Sequence, residues 1–421
     1  MRPTCVPLAL GGSILQIQMI GIDYSRAPIE IREQFSMTDT VAAQSAERIC
    51  QEYGAEECVI LSTCNRTEIW VYGDLAIRLP AVFCTLRGIG QESSTYFVER
   101  GGESAVRYLL ELSCGLHSQV FGEDQILTQV GHALERSRRV HAAGPILEML
   151  FRTAVTAAKR VKTEVRLTEV DQSAAVRTVD FLEEQLGDLS GRICLVIGNG
   201  EMGRLTAAQL VSRGCQVQMT VRRYRHGDVL LPAKVRAVSY ENRLEAIHRA
   251  EIVVSATSSP HYTVQAQQLK ESPLEHPTVF CDLAVPRDID PAVALLPGVR
   301  VYDTDQLCQG SSRGSEETIR QATAILDLYE QEFKNWYLFR PLVPAVRKIG
   351  QAAASDLSSR IERAVRELPL DTAEQRAFLD RLSASTEKVV NRMLFGLRET
   401  LPPELWEQCI QGLEQTIQEE S

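Results

Sequence analysis

At 421 residues the chain is too long for one ordinary core, so two to four domains are expected. Its 44% hydrophobic and 24% charged residues are those of a soluble globular protein, and no apolar run reaches the roughly eighteen residues that cross a bilayer. A net charge of −10 disfavours indiscriminate nucleic-acid binding. The 11 scattered cysteines, with no CxxC spacing, argue against a disulfide framework or a zinc cluster and for a reducing cytosol. The histidines show no ligand spacing either, so no metal site is expected.

Taken in order, the pattern begins with a mildly apolar N-terminal stretch that makes a poor signal peptide. Residues 1–18 read as a disordered extension or an overcalled start, because a second methionine, Met19, stands before a better-patterned strand. Residues 14–22 read as a strand, 29–34 as a short helix and 38–53 as a longer one capped by Thr38 or Asp39. Residues 59–61 and 68–72 are two short strands around a polar corner of Ser62, Thr63, Cys64, Asn65 and Arg66. A thiol beside amide donors and a cation can serve as a nucleophile, and Arg66 can clamp a carboxylate through its fork. A buried, inert cysteine beside a turn is the plain alternative.

Residues 74–87 are helical by period, 95–98 strand-like, and 103–114 an amphipathic helix; strands mixed with helices in this way suggest a compact α+β domain. A polar loop follows, with His117, Ser118 and Glu123, and leads into a helix at about Asp124. Gln125 and Gln129 share one side of that helix, to bind a polar substrate or simply to face water. The basic run Arg136, Arg138, Arg139, Arg152, Lys159, Arg160, Lys162 and Arg166 reads as a solvated face or, on helices, as a phosphate-contacting surface, and the charge pattern favours the first. Polar residues 168–173 mark a domain boundary, and a helix over 174–186 opens the next domain.

Residues 193–197 are an apolar strand that runs into Gly198, Asn199, Gly200, Glu201, Met202 and Gly203, then a helix. That is the context a dinucleotide-binding turn requires. The next strand, 216–221, ends in Arg222 and Arg223 instead of an acid, which suits a 2′-phosphate and hence NADP. Further strands are expected at 235–238, 252–256, 279–283 and 299–302, completing a doubly wound sheet. From 316 to about 380 the chain is helical, broken by Pro341 and Pro344, and its apolar surface calls for helix–helix packing, including packing between subunits.

The strings GIDYSRAP at 21–28, IRE at 31–33, STCNRTE at 62–68, GLHS at 115–118, GEDQIL at 122–127 with Gln129, GNGEMG at 198–203 and DLAVPRDI at 282–289 resemble those of the glutamyl-tRNA reductases. The resemblance covers residues 19 to about 397. It implies a multidomain α/β chain: an N-terminal α+β catalytic domain over 19–167 that binds glutamyl-tRNA(Glu), a Rossmann-type NADP domain over 168–308, and a C-terminal all-α dimerisation domain over 309–421. It implies that Cys64 attacks the aminoacyl ester, that NADPH reduces the thioester to glutamate-1-semialdehyde, and that Thr63, Asn65, Arg66, Ser118, Glu123, Asp124, Gln125 and Gln129 hold the substrate. Residues 198–203 would hold the cofactor phosphates. A cytoplasmic homodimer with no membrane contact is implied, and contact with glutamate-1-semialdehyde aminomutase is a further expectation.

The chain departs from the family at Tyr108, where histidine is usual, and at His117, where aspartate is usual; Asn199 and Arg222 are smaller departures. Either His117 substitutes as acid/base, or Tyr108 suffices as a proton donor, or the enzyme is slow. The alternatives to a full reductase are an attenuated homologue that binds tRNA or NADP as a regulator, and an NADP-dependent dehydrogenase of a small acyl substrate that needs no tRNA.

Overall fold

The β-prone segments around the Cys64 corner pair with each other and with the strand that follows Met19. The computed structural model describes residues 15–73, 78–167, 173–222, 230–308, 314–398 and 400–419. Strands β1 (Ile17–Asp23), β2 (Glu57–Ser62), β3 (Arg66–Tyr72) and β4 (Val98–Gly101) form an antiparallel sheet in the order β2-β3-β1-β4. Helices α1 (Ile29–Phe35), α2 (Asp39–Tyr53), α3 (Leu79–Arg87), α4 (Glu103–Ser113), α5 (Gln125–Arg139) and α6 (Pro145–Glu164) surround it. The cap of α2 is Thr38, whose hydroxyl accepts from Val41 N at 3.4 Å.

Both faces of this sheet are covered. Ile20, Ile22, Cys58, Ile60, Ile69 and Val71 pack with Ala42, Ala46 and Ile49 of α2 and Phe83 of α3. On the other face the buried Trp70 ring stacks on Tyr108 of α4 at 6.1 Å and meets Phe151 of α6 edge-on at 5.8 Å. Residues 95 and 96, expected as strand, belong to a 3₁₀ turn over Gln91–Tyr96. There the Thr95 hydroxyl bonds Glu92 O at 3.2 Å, a local bond that competes with strand pairing. The helix expected over 74–87 is described only from Leu79, and residues 168–172 of the expected boundary lie outside the described residues.

After α7 (Ala174–Leu186) come β5 (Ile193–Ile197), α8 (Glu201–Ser212), β6 (Gln216–Val221), β7 (Arg236–Ser239), α9 (Arg243–Ile247), β8 (Ile252–Ser255), α10 (Ala266–Glu271), β9 (Thr278–Asp282), β10 (Val299–Asp303) and α11 (Thr304–Leu307). The strands form a parallel sheet in the order β10-β9-β8-β5-β6-β7. The order reverses between β5 and β8, and ligands of such sheets bind in the crevice at that reversal. Gly198 ends β5 there with φ of +106°, and a Cβ on it would lie 2.6 Å from Ala256 O, so only glycine fits between the two strand ends.

The remaining helices are α12 (Glu316–Phe339), α13 (Val343–Arg366), α14 (Thr372–Leu397) and α15 (Pro403–Glu419). The expected break at Pro341 and Pro344 is one 3₁₀ turn over Arg340–Leu342, with Pro344 in the first turn of α13, where its missing N–H is tolerated. The chain forms two compact units, one ending at Glu330 and the other beginning at Gln331. Both sheets lie in the first. The second has its own small core of Phe339, Val346, Ile349, Leu394, Trp406 and Ile410. No described helix is long and apolar enough to cross a membrane.

Candidate active site

The turn between β2 and β3 is three residues long because Thr63 shapes it. Its N–H bonds Arg66 O at 2.8 Å, and its hydroxyl accepts from Asn65 N at 3.2 Å and Arg66 N at 3.3 Å. Cys64 sits at the tip, half-buried. Burial, then the nearby Glu123 carboxylate, pushes its thiol up to about 11, against the opposing pull of Arg32 and Arg66. The thiol is therefore neutral at rest, and the flanking cations do not by themselves make it a thiolate, contrary to the activation expected from the corner. Asn65 Oδ1 is buried without a hydrogen-bond donor among the described residues.

Arg66 corrects a second expectation. Its side chain is almost fully buried and anchored on protein oxygens: Nη1 on Glu68 Oε1 at 3.2 Å and Tyr108 Oη at 2.7 Å, Nη2 on the carbonyl of His117. A guanidinium held at both ends is not a freely presented carboxylate clamp. The sequence reading missed Glu68, which also accepts from Tyr108 Oη at 2.7 Å and Trp70 Nε1 at 3.1 Å. Its pairing with Gly21 makes the room: a Cβ on Gly21 would lie 2.8 Å from Glu68 Cγ.

Tyr108 and His117 are corrected with it. Burial and then the Glu68 carboxylate push the Tyr108 phenol well above its ordinary value, and its hydroxyl is occupied by Arg66 and Glu68, so it is no ready proton donor. The His117 ring lies against Tyr108 at 4.9 Å and bonds Glu111 Oε2 at 2.8 Å. Arg107 ties Glu111 in turn, at 2.7 Å, and reaches Asp327 at 2.5 Å and Glu330 at 3.1 Å in α12.

The loop from Gly115 to Asp124 brings Glu123 toward Cys64. Burial raises the Glu123 carboxyl, while the Ser118 hydroxyl, Arg66 and Lys162 work in the other direction. Asp124 is exposed and paired with Lys162, which also bonds Glu123 O at 3.0 Å, so Asp124 fastens the loop instead of entering the site. Gln125 and Gln129 follow, both half-buried on α5. The basic run is largely neutralised: Arg136 pairs with Asp39 at 2.5 Å, Arg138 with Glu148 at 2.7 Å and Arg160 with Glu164 at 2.7 Å. Cys308, at the end of α11, is pushed up to about 12 by burial, then by Cys64 and Glu123; Arg32, bonded to both Cys64 O and Asp305, ties α11 to the Cys64 turn.

In that domain Gly198 N bonds Thr220 Oγ1 at 3.0 Å, and Gly200 caps α8 with open space where a Cβ would stand. An open cradle at the N-terminus of a full-length helix fits a dinucleotide pyrophosphate. Asn199 O takes Arg204 Nη1 at 2.9 Å, Glu201 is exposed, and Met202 packs against Val120, Ala174 and Cys308. Arg222 lies 4.3 Å from the centre of the Tyr240 ring and Arg243 4.4 Å from it. Both guanidinium groups thus lie within cation–π distance of the one ring. Arg223 lies outside the described residues.

Residues 20–165 match the family model of the glutamyl-tRNAGlu reductase N-terminal domain, 180–309 that of shikimate/quinate 5-dehydrogenase, and 321–418 that of the glutamyl-tRNAGlu reductase dimerisation domain. A glutamyl-tRNA reductase of Acetivibrio thermocellus is 38% identical over 330 residues, covering 77% of this chain and 98% of the relative. The chain belongs to the glutamyl-tRNA reductase family. Another reductase of that name, from Moorella thermoacetica, is 32% identical over 391 residues, covering 89% of this chain and 87% of its own. The solved glutamyl-tRNA reductase of Methanopyrus kandleri is 25% identical, covers 97% of this chain and 100% of its own, and has a TM-score of 0.44. As a glutamyl-tRNA reductase the chain is an oxidoreductase with an α+β domain, an NADP-binding α/β domain and dimerisation helices. Those helices leave Phe378, Val389 and Met393 exposed.

Proposed function

We propose that the protein reduces glutamyl-tRNA(Glu) to glutamate-1-semialdehyde with NADPH, the first step of tetrapyrrole synthesis by the five-carbon route. The observation that carries this reading is the turn tip itself: a half-buried thiol flanked by the unpartnered Asn65 Oδ1 and the Glu123 carboxylate, with the nucleotide domain alongside. Cys64 Sγ attacks the ester carbon, the ribose oxygen leaves with a proton, and a thioester remains on Cys64. Since the thiol is neutral at rest, its proton departs as the bond forms. Glu123, a carboxylate made more basic by burial, is the group beside it that can carry that proton. Asn65, Ser118, Gln125 and Gln129 orient the glutamyl group. Arg66 and Thr63 fix the turn. Bound NADPH supplies the hydride that reduces the thioester.

This reading goes with the division into residues 19–167, 168–308 and 309–421, a homodimer, a cytoplasmic setting, and hand-over of the aldehyde to glutamate-1-semialdehyde aminomutase. The test is NADPH oxidation with intact and ribonuclease-treated glutamyl-tRNA, the aldehyde being trapped. Turnover that survives ribonuclease would mean a small acyl substrate; tRNA binding without turnover would mean an attenuated, regulatory homologue.

Arg222, over the Tyr240 ring at the end of β6, is the residue that would meet the cofactor's 2′-phosphate. Arg222→Ala should weaken NADPH binding about tenfold, the loss of one charge-assisted hydrogen bond, and leave NADH binding nearly unchanged. Titration of the nicotinamide fluorescence measures both, and an equal loss for the two nucleotides would remove Arg222 from 2′-phosphate recognition.

A further inference from the structure

Helix α1 reaches the nucleotide domain through a succession of polar side chains. Arg32, 2% exposed, donates from Nε to Ala27 O at 3.2 Å, from Nη1 to the carbonyl of Cys64 at 2.8 Å, and from Nη2 to Asp305 in α11. Glu33 receives Arg287 through the backbone N at 3.3 Å, Nε at 3.0 Å and Nη2 at 2.7 Å, and Glu30 takes Arg287 Nη1 at 3.1 Å. Ser36, just beyond the helix, donates to Val285 O at 3.2 Å. Val285 and Arg287 follow β9, and Asp305 follows β10. Both anchor points therefore lie past the carboxyl ends of the parallel strands, on the side where the dinucleotide binds.

Thioester chemistry has two halves. Forming the S–C bond and breaking the ester C–O bond, with the proton going to the ribose oxygen, requires only the first domain. Reduction requires both domains in register: hydride passes from NADPH to the thioester carbon, a proton reaches the oxygen, and the C–S bond of the thiohemiacetal breaks to give aldehyde and thiol. A thioester that waits too long is taken by water instead, giving glutamate and thiol.

We propose that Arg32, with Asp305 and the Glu33–Arg287 pair, is the positioning device that holds the Cys64 turn in register with the nucleotide and so sets the partition of the thioester between reduction and hydrolysis. The proposal rests on the thioester reading above. One buried guanidinium bonds both the backbone of the nucleophile and a carboxylate of the other domain, so a shift of α11 is transmitted directly to Cys64.

The test is a single turnover with glutamyl-tRNA and saturating NADPH, counting aldehyde and free glutamate, for the full chain and for Asp305→Asn and Arg287→Ala. Both variants should raise the glutamate-to-aldehyde ratio at least about fivefold, with the rate of tRNA release and the NADPH dissociation constant within about twofold of the unmodified protein. Arg32→Lys, which keeps the ion pair without the fork, should give an intermediate ratio. An unchanged ratio in both variants, whether or not tRNA release slows, overturns the positioning role. Absence of labelled acyl group on Cys64 of the unmodified protein would overturn the thioester reading instead, so the two failures are distinguishable.

Discussion

Cys64→Ser is expected to lower NADPH-linked aldehyde formation on the order of 10³-fold or more, while NADPH and tRNA affinities stay within about twofold. Replacing sulfur by oxygen keeps the size of the side chain at the turn tip and leaves Thr63 free to shape the turn as before. What is lost is the thioester, the one acyl derivative of this chain from which hydride reduction proceeds. Turnover of Cys64→Ser near the unmodified rate would mean that hydride reaches the ester directly. The same thiol gives a pH signature. With its titration pushed up to about 11 by burial and Glu123, the thiolate fraction in the free protein grows nearly tenfold per pH unit from 7 to 10. Alkylation of Cys64 should rise with that slope, with no plateau below pH 10. Glu123→Gln removes the negative neighbour, so the thiol should titrate lower and alkylate faster at pH 8, yet acyl transfer should slow if Glu123 carries the proton. Opposite effects on the two rates separate its electrostatic influence from its role as a base.

The turn, the glycine loop after β5 and the positions of most strands were legible because each rests on local chemistry: β-prone runs around a polar corner, and an apolar strand that opens into glycines before a helix. The tasks of the polar residues were not legible. Glu68 opens the second of the two short strands with no sign in the sequence of what it meets, yet α4 and α6 cover its face of the sheet and it is 1% exposed. Arg66 looked like a substrate clamp because its partners, Tyr108 and the His117 carbonyl, are 42 and 51 residues away in sequence. Arg32 stood in a string that carried the family resemblance, but two of its contacts, Cys64 O and Asp305, come from different domains and only the fold brings them together. Gly21 shows the reverse case. It reads as an unexplained glycine in a strand, and its meaning is steric room for Glu68.

Glu68→Ala should destabilise the unit that ends at Glu330 by about 3–5 kcal/mol, the cost of leaving one member of a buried ion pair uncompensated. Glu68 is the acceptor for three donors at once: Arg66 Nη1, Tyr108 Oη and Trp70 Nε1. All three sit between the sheet and α4 and α6, where water cannot readily replace the carboxylate. Tyr108→Phe should cost only about 1 kcal/mol, because Arg66 and Glu68 keep their direct contact at 3.2 Å and the ring keeps its stacking on Trp70. Urea unfolding followed by fluorescence measures both, since Trp70 reports this unit. The comparison also decides what Tyr108 is for. A proton donor in the reaction would lose on the order of 10²- to 10⁴-fold in turnover on losing its hydroxyl. A hydroxyl occupied by Arg66 and Glu68 should lose less than about threefold, because its contribution is to hold the guanidinium behind Cys64 and not to move a proton.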